Sequence, residues 1–216
     1  HEIRTPLNAI VGFSELLTSD MEISPNERDE FMQVISKNSD LLLKLINDIL
    51  DLSRIESGKM SFTLTNCDLN ELLSHIYRTH QLLTPQGVAL KIQLPVLPAI
   101  IQADLHRLTQ VITNLINNAA KFTTQGYILI KYDYTQDKRW IQISVTDTGK
   151  GIPADKQAQV FERFNKLDEF AQGTGLGLAI CQIIIEHFGG YITLESKEGE
   201  GSTFIVTLPY TPGLSV

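Results

Sequence analysis

The hydrophobic period of this chain changes at Gly58, and the change separates two kinds of structure. Before it, apolar residues recur at helical spacing; after it, short alternating runs take turns with helical ones. Residues 1–18 carry Leu7, Ile10, Val11 and Leu17 on one helical face. Pro6 is the anomaly there: inside a helix it removes the hydrogen bond to the Glu2 carbonyl and bends the axis. After a connector at 19–24, Ser24-Pro25-Asn26-Glu27 combines a capping box with proline at the first helical position. The helix that follows is expected to run to about Ser57, with an apolar stripe from Phe31 through Leu45 to Ile55 near heptad spacing. Two helices alone bury too little surface to be stable. Pairing two such hairpins into a four-helix bundle covers the wide stripe, so a homodimer is expected.

Beyond Gly58, residues 59–65 alternate like a strand, and Asp68 restarts a helix that ends before Pro85. Residues 88–94 and 100–103 read as strands, and Asp104 as the cap of another helix. Residues 127–134 and 140–147 alternate around a polar turn and form a β-hairpin. A helix follows Gly175 to about Phe188, Gly189-Gly190 ends it, and residues 191–196 and 202–208 form a second hairpin. The expected architecture is α+β: a helical hairpin (1–60), then a sandwich of mixed sheet and helices (61–209), then a short tail or linker (210–216).

The helix after Asp104 has an interior rich in asparagine, a residue that costs about 0.7 kcal/mol relative to alanine in a helix. Gln110, Asn114, Asn117, Asn118 and Lys121 fall in one narrow arc, opposite Leu108, Val111, Ile112, Leu115 and Ala119. Amide oxygens suit a hard cation such as Mg2+, and an ammonium suits phosphate. This face therefore suits a Mg-nucleotide. Two glycine motifs downstream agree. In Asp147-Thr148-Gly149-Lys150-Gly151-Ile152, a carboxylate at a strand end can accept a hydrogen bond from an exocyclic amine such as that of adenine, whereas guanine presents a carbonyl there. Gly149 and Gly151 allow close backbone approach. Gly173-Thr174-Gly175-Leu176-Gly177-Leu178 precedes a helix, whose first amides bind phosphate well. The dinucleotide fingerprint needs glycine at 178, and no GxxxxGK[ST] loop is present, so the nucleotide must be held in another way.

At the start of the chain, His1 has a ring nitrogen that is substantially neutral at pH 7 and can act as a nucleophile. Glu2 can take the ring proton, and Thr5, one turn on, can position a water. Taken alone, this heptapeptide reads better as a solvated helix end, and each glycine motif has an ordinary turn as its alternative reading. The net charge of -7 argues against nucleic acid as the main partner. No apolar run is long enough to span a membrane, so no direct membrane contact is expected. Cys67 and Cys181 have no metal-site spacing and read as reduced, packed thiols. Because the chain starts at His1 without methionine, it is expected to be part of something longer.

Together, in this order and spacing, the motifs resemble the catalytic core of a sensor histidine kinase, as found in hybrid two-component kinases. Residues 1–7 match the family's H-box, 114–123 its N-box, 147–152 and 173–178 its two glycine boxes, and Phe161-Glu162-Arg163-Phe164 its F-box. The resemblance implies a dimerisation and phosphoacceptor hairpin followed by a Bergerat-type ATP-binding domain, with ATP and Mg2+ as cofactors. It implies that His1 is phosphorylated and then passes the group to an aspartate of a response-regulator receiver domain. Glu2 is then the proton acceptor, and Thr5 orients water when the core acts in reverse as a phosphatase of that regulator. Asn118 is the Mg2+ ligand with Asn114 beside it, Lys121 meets phosphate, and Asp147 reads adenine between Gly149 and Gly151. Gly173, Gly175, Leu176 and Gly177 frame the lid and phosphates. Lys166 stands where many members carry a phosphate-contacting arginine, and Thr203 helps order the adenine site. The surface below His1, around Ile10, Phe13 and Leu17, is the implied regulator dock, and the implied location is the cytoplasmic portion of a membrane-bound sensor. Two departures stand out: a short lid without arginine between Phe164 and Gly173, and the missing helix before His1. Two alternatives stay open: a scaffold that binds nucleotide without transferring phosphate, and another Bergerat-type ATPase.

Overall fold

The structure is a computed structural model that describes residues 2–19, 22–165 and 173–213. It divides into two compact units. One contains the helices up to Met60 together with the Gly173–Gly177 segment; the other contains the rest of the described chain from Ser61 on.

In the first unit, α1 (Arg4–Thr18) and α2 (Pro25–Glu56) form a helical hairpin. The start of α2 is set chemically: the Ser24 hydroxyl accepts from the Glu27 amide while the Glu27 carboxylate accepts from the Ser24 amide. Gly58, at φ +63°, takes the left-handed turn that follows the helix. Phe13 of α1 packs on Phe31 of α2 with ring centroids 5.2 Å apart, and Leu45 is buried. Pro6 departs from expectation. Among the described residues α1 begins at Arg4, so Pro6 lies in the first turn, where a backbone amide has no partner inside the helix and proline removes nothing.

The second unit is built on a five-stranded sheet. Its strands are β2 (Val88–Gln93), β4 (Gly126–Tyr134), β5 (Trp140–Asp147), β6 (Tyr191–Lys197) and β7 (Gly201–Pro209), and β1 (Thr65–Asp68) and β3 (Ile100–Ala103) form a separate antiparallel pair. The order is β2-β4-β5-β7-β6, with β2 parallel to β4 and the other neighbours antiparallel, which is the mixed sheet expected. Alternation buries one face: Ile128, Ile130 and Tyr132 on β4, Ile141, Ile143 and Val145 on β5, and Phe204, Val206 and Leu208 on β7. Against the sheet lie α3 (Leu69–Gln81), packed on β2, and α4 (Leu105–Phe122), packed on β4 and β5. A further helix, α5 (Gly177–His187), contributes Ile180, Ile184 and Ile185 to the core.

The strand expected over 59–65 does not form; only Thr65 joins a strand, β1. The backbone of 59–64 is held by other partners instead. Lys59 and Met60 amides donate to the Arg54 carbonyl, the Thr63 amide donates to the Asp104 carboxylate at 2.9 Å, and Phe62 stacks on His187 at 3.7 Å. Alternation reports a strand only where a neighbouring strand takes up its amides.

Candidate functional site

The core-facing row at one end of the sheet contains residues that an apolar core would not select. Strand register places Leu90, Ile128, Asp147, Ser202 and Ser196 side by side across all five strands. One pleat further in, the same face holds Ile130, Val145, Phe204 and Leu194. Asp147 is therefore a carboxylate at a position patterned for an aliphatic side chain. It is buried, and burial pushes its carboxyl above the usual carboxylate range, while amides of Gly149 and Ser202 pull the other way. The Gly149 amide donates to Oδ1 at 2.8 Å. An ionised carboxylate has about four acceptor sites, so two backbone donors leave room for an exocyclic amine.

The loop after Asp147 is fixed at both ends. The Lys150 amide donates to the Phe122 carbonyl at 3.3 Å, joining the loop to the C-terminal end of α4. On the other side the Gly199 amide donates to the Lys150 carbonyl, and the Ile152 amide donates to Ser196 Oγ at 2.9 Å. Glycine is required at two positions. A Cβ on Gly149 would lie 2.4 Å from the Phe122 carbonyl oxygen, and one on Gly151, at φ +65°, would lie 2.0 Å from the Lys197 carbonyl oxygen. The glycines thus let the loop approach the protein's own backbone, which is how the Asp147 carboxylate and the end of α4 come to share one site.

That end of α4 carries the amide and ammonium groups singled out from the sequence. Asn118 is half-buried, and Asn117 and Lys121 are exposed. The Lys121 and Lys150 ammonium groups lie 4.8 and 4.9 Å from the centroid of the Phe122 ring, so both cations lie against one aromatic ring. Lys150 was not among the residues singled out; its place between two glycines was the available signal. Asn114 departs from its expected place on the open polar face. It is buried, and its amide nitrogen donates to the Cys181 thiol of α5 at 3.4 Å. Neither cysteine is in a disulfide, and both are buried.

Thr203 lies on the sheet face opposite Asp147, where its hydroxyl meets that of Thr146 at 3.0 Å. Its neighbour Ser202 stands beside Asp147 and bonds Ser196 at 2.9 Å. One residue of offset along a strand exchanges the two faces, so the register sets Ser202, and not Thr203, on the face that carries Asp147. The F-box packs through Phe161, edge-on to Phe204.

The remaining sequence-derived residues belong to the first unit or lie outside the described chain. Gly173, Gly175, Leu176 and Gly177 group with the hairpin. There the Thr174 hydroxyl donates to the buried Asp48 carboxylate of α2 at 2.7 Å, and burial raises the Asp48 carboxyl above its usual range. His1 and Lys166 lie outside the described residues. Glu2 is half-buried and Thr5 is exposed in the first turn of α1. Ile10, Phe13 and Leu17 are half-buried, whereas Leu7 and Val11 are exposed.

The residues fit the nucleotide and cation that the sequence suggests. A buried acceptor with spare capacity suits an adenine amine, and paired ammonium groups suit phosphates. Mg2+ typically keeps several waters and takes only one or two protein ligands beside phosphate oxygens, so a single amide such as Asn118 is sufficient. Among the described residues no cluster of three or more His, Cys, Asp or Glu is placed to hold a metal, and no helix is long and apolar enough to cross a membrane.

Comparison with known proteins agrees with this geometry. Residues 103–212 match the family described as Histidine kinase-, DNA gyrase B-, and HSP90-like ATPase, and residues 1–58 match the His Kinase A (phospho-acceptor) domain. The sensor protein GacS of Pseudomonas syringae pv. syringae is 39% identical over 220 residues, which cover 96% of this chain and 24% of that protein. The crystal structure of full-length ShkA in complex with AMPPNP superposes with a TM-score of 0.76 at 29% identity, covering 100% of this chain and 45% of that one. The histidine kinase ThkA in complex with the response regulator TrrA gives 0.77 at 25% identity, covering 100% and 60%. The chain spans about a quarter of the length of the curated relatives it matches. The chain belongs to the Histidine kinase-, DNA gyrase B-, and HSP90-like ATPase family and, with its His Kinase A domain, carries the catalytic core of a sensor histidine kinase.

Proposed function

We propose that this core is an ATP-dependent protein histidine kinase that phosphorylates its own His1 and passes the phosphoryl group to an aspartate of a response-regulator receiver domain. The observation that supports it best is the buried Asp147 carboxylate, held at the end of β5 by a loop tied to the amide-bearing helix α4. Asp147 accepts from the adenine amine, and Lys121, with Lys150 beside it, draws the phosphates. Bound at Asn118, Mg2+ supplies charge neutralisation on the phosphate oxygens. Phosphoryl transfer is mostly positioning and electrostatics, so presenting ATP to a fixed imidazole suffices. A His1 ring nitrogen bonds to the γ-phosphorus as its bond to the bridging oxygen breaks, and ADP leaves with the electron pair. Glu2 takes the proton from the other ring nitrogen. The reverse activity, hydrolysis of the regulator's aspartyl phosphate, is assigned to a water oriented by Thr5.

The relatives support the same partners. ShkA was crystallised with AMPPNP and ThkA with a response regulator. We assign this chain to a homodimer on the cytoplasmic side of a membrane-bound sensor, where ATP is available. Incubation with ATP labelled on the γ-phosphate tests the reading. The expected result is acid-labile, base-stable label on the chain, lost in His1→Gln and in Asn118→Ala. Steady phosphate release without labelled protein, unaffected by His1→Gln, would mean a plain ATPase instead; nucleotide binding with neither would mean a scaffold.

A further inference from the structure

The contact between Asn114 and Cys181 has no part in the reading above, although it lies between the two helices that frame the nucleotide motifs. Cys181 is 1% exposed and Asn114 is 9% exposed. The thiol meets α4 at two points one turn apart. Asn114 Nδ2 donates to Sγ at 3.4 Å, and Sγ–H donates to the Val111 carbonyl at 3.9 Å. Sulfur is thus placed to accept from Asn114 and to donate to the Val111 carbonyl. Cys181 stands four residues after Gly177, and Asn114 stands four residues before Asn118. The first turns of α5 are therefore clamped to α4 immediately upstream of its cation-binding amide.

A carboxamide has two ends of nearly equal size and opposite chemistry: its oxygen can accept a hydrogen bond or ligate a hard cation, and its NH2 can only donate. In a packed site, shape alone does not choose between them. Here the sulfur chooses. With the Asn114 nitrogen engaged by Cys181, the amide oxygen is the end left for the cation or its waters.

Resting on the nucleotide-site reading above, we propose that Cys181 is a positioning residue for metal-dependent nucleotide binding, and that its thiol holds the Asn114 amide with the oxygen outward. An apolar residue of similar volume would pack as well but leave the amide free to turn over, presenting NH2 to the cation part of the time. Loss of one neutral hydrogen bond shifts such a balance by about fivefold.

The test is ATP binding to the whole chain, measured by calorimetry across a titration of free Mg2+, with thermal unfolding recorded in parallel. Cys181→Val, which keeps volume and removes the hydrogen bonds, is expected to raise the half-saturating Mg2+ by just under twofold, as the share of amides with the oxygen outward falls from about five in six to about one in two. Metal-free ATP affinity should stay as in the parent. Cys181→Ala should behave as the valine variant does, and serves in its place if valine fails to fold. Cys181→Ser, which accepts and donates, should restore the parent's Mg2+ dependence. A parent-like valine variant overturns the proposal, as does equal impairment in valine and serine variants, which would mark a packing role. Asn118→Ala separates this from failure of the site reading. If it abolishes Mg2+ dependence while valine has no effect, only the role of Cys181 falls. If Mg2+ dependence survives in Asn118→Ala, or the parent binds no ATP, the site reading fails and this inference fails with it.

Discussion

Asp147 carries opposite consequences for binding and for folding. Burial raises its carboxyl above the ordinary value, with the Gly149 and Ser202 amides opposing. A carboxyl whose folded pKa is raised contributes stability that is full below its unfolded value, about 3.9, and lost as pH rises through the folded value. At neutral pH the empty site therefore holds an ionised carboxylate at a cost to the fold. Asp147→Asn removes that cost and is expected to raise the unfolding temperature of the nucleotide-free chain at pH 7, by an amount that shrinks toward pH 3. The same change replaces a charged acceptor with a neutral one, and ATP affinity should fall about 10- to 100-fold. Parent affinity should itself decline on acidification, beginning above the pH at which an ordinary aspartate titrates. Calorimetry of ATP binding and thermal scans across pH check both halves; a variant that loses stability along with affinity would contradict them. Asp147 could be singled out from the sequence because a carboxylate closing an alternating apolar run is chemically conspicuous. Ser202 and Cys181 could not. A serine beside a threonine has no chemical mark, and a cysteine in an apolar helix looks like core until the register and the facing helix are known.

Among the elements, α2 exposes more apolar surface than the hairpin alone can cover. Leu45 is buried, yet Leu43 is 60% exposed, Ile46 42% and Leu50 49%. Positions 43, 46 and 50 follow the i, i+3, i+7 spacing of a helix seam, so they form one exposed apolar stripe. A second copy of the hairpin is the occupant that the spacing fits. Ile46→Glu together with Leu50→Glu is expected to convert a dimer into a monomer. Each buried aliphatic side chain is worth about 1.5–3 kcal/mol, and the two-fold axis doubles the number lost. Light scattering behind size-exclusion chromatography, over a range of concentrations, reads the change; an unaltered mass would move the interface elsewhere. The elements themselves were legible wherever local rules acted alone. The Ser24 capping box, the Asp68 and Asp104 caps and the alternation of β4, β5 and β7 all depend on residues within a few positions of each other. Phe62 and Thr63 escaped that logic because their partners, His187 and Asp104, are distant in sequence. The parallel pairing of β2 with β4 escaped it for the same reason.

At the scale of the whole molecule, the change of hydrophobic period at Gly58 and the division into compact units concern the same stretch of chain. What no period could show is that the Gly173–Gly177 segment groups with the hairpin, through a hydrogen bond between residues 126 positions apart. The sheet, α3 and α4 have a continuous core of their own, from Leu72 and Ile76 through Leu108 and Leu115 to Ile143 and Val206. Residues 61–213 should therefore fold alone and bind ATP, but lack the phosphoacceptor His1. Residues 1–60, supplied separately, should accept the phosphoryl group from them. A short flexible connection holds its two ends at an effective concentration of about millimolar. Mixing the separated parts at about 10 µM should thus slow labelling of His1 roughly 100-fold, with a rate that rises linearly with the concentration of residues 61–213. Labelled ATP and a concentration series measure this directly. Labelling that stays absent at the highest concentration, while residues 61–213 still bind ATP, would mean that the connection at 59–64 aligns the reactants as well as gathering them. In that case Phe62 on His187 and the Thr63 amide on Asp104 become the contacts to break next.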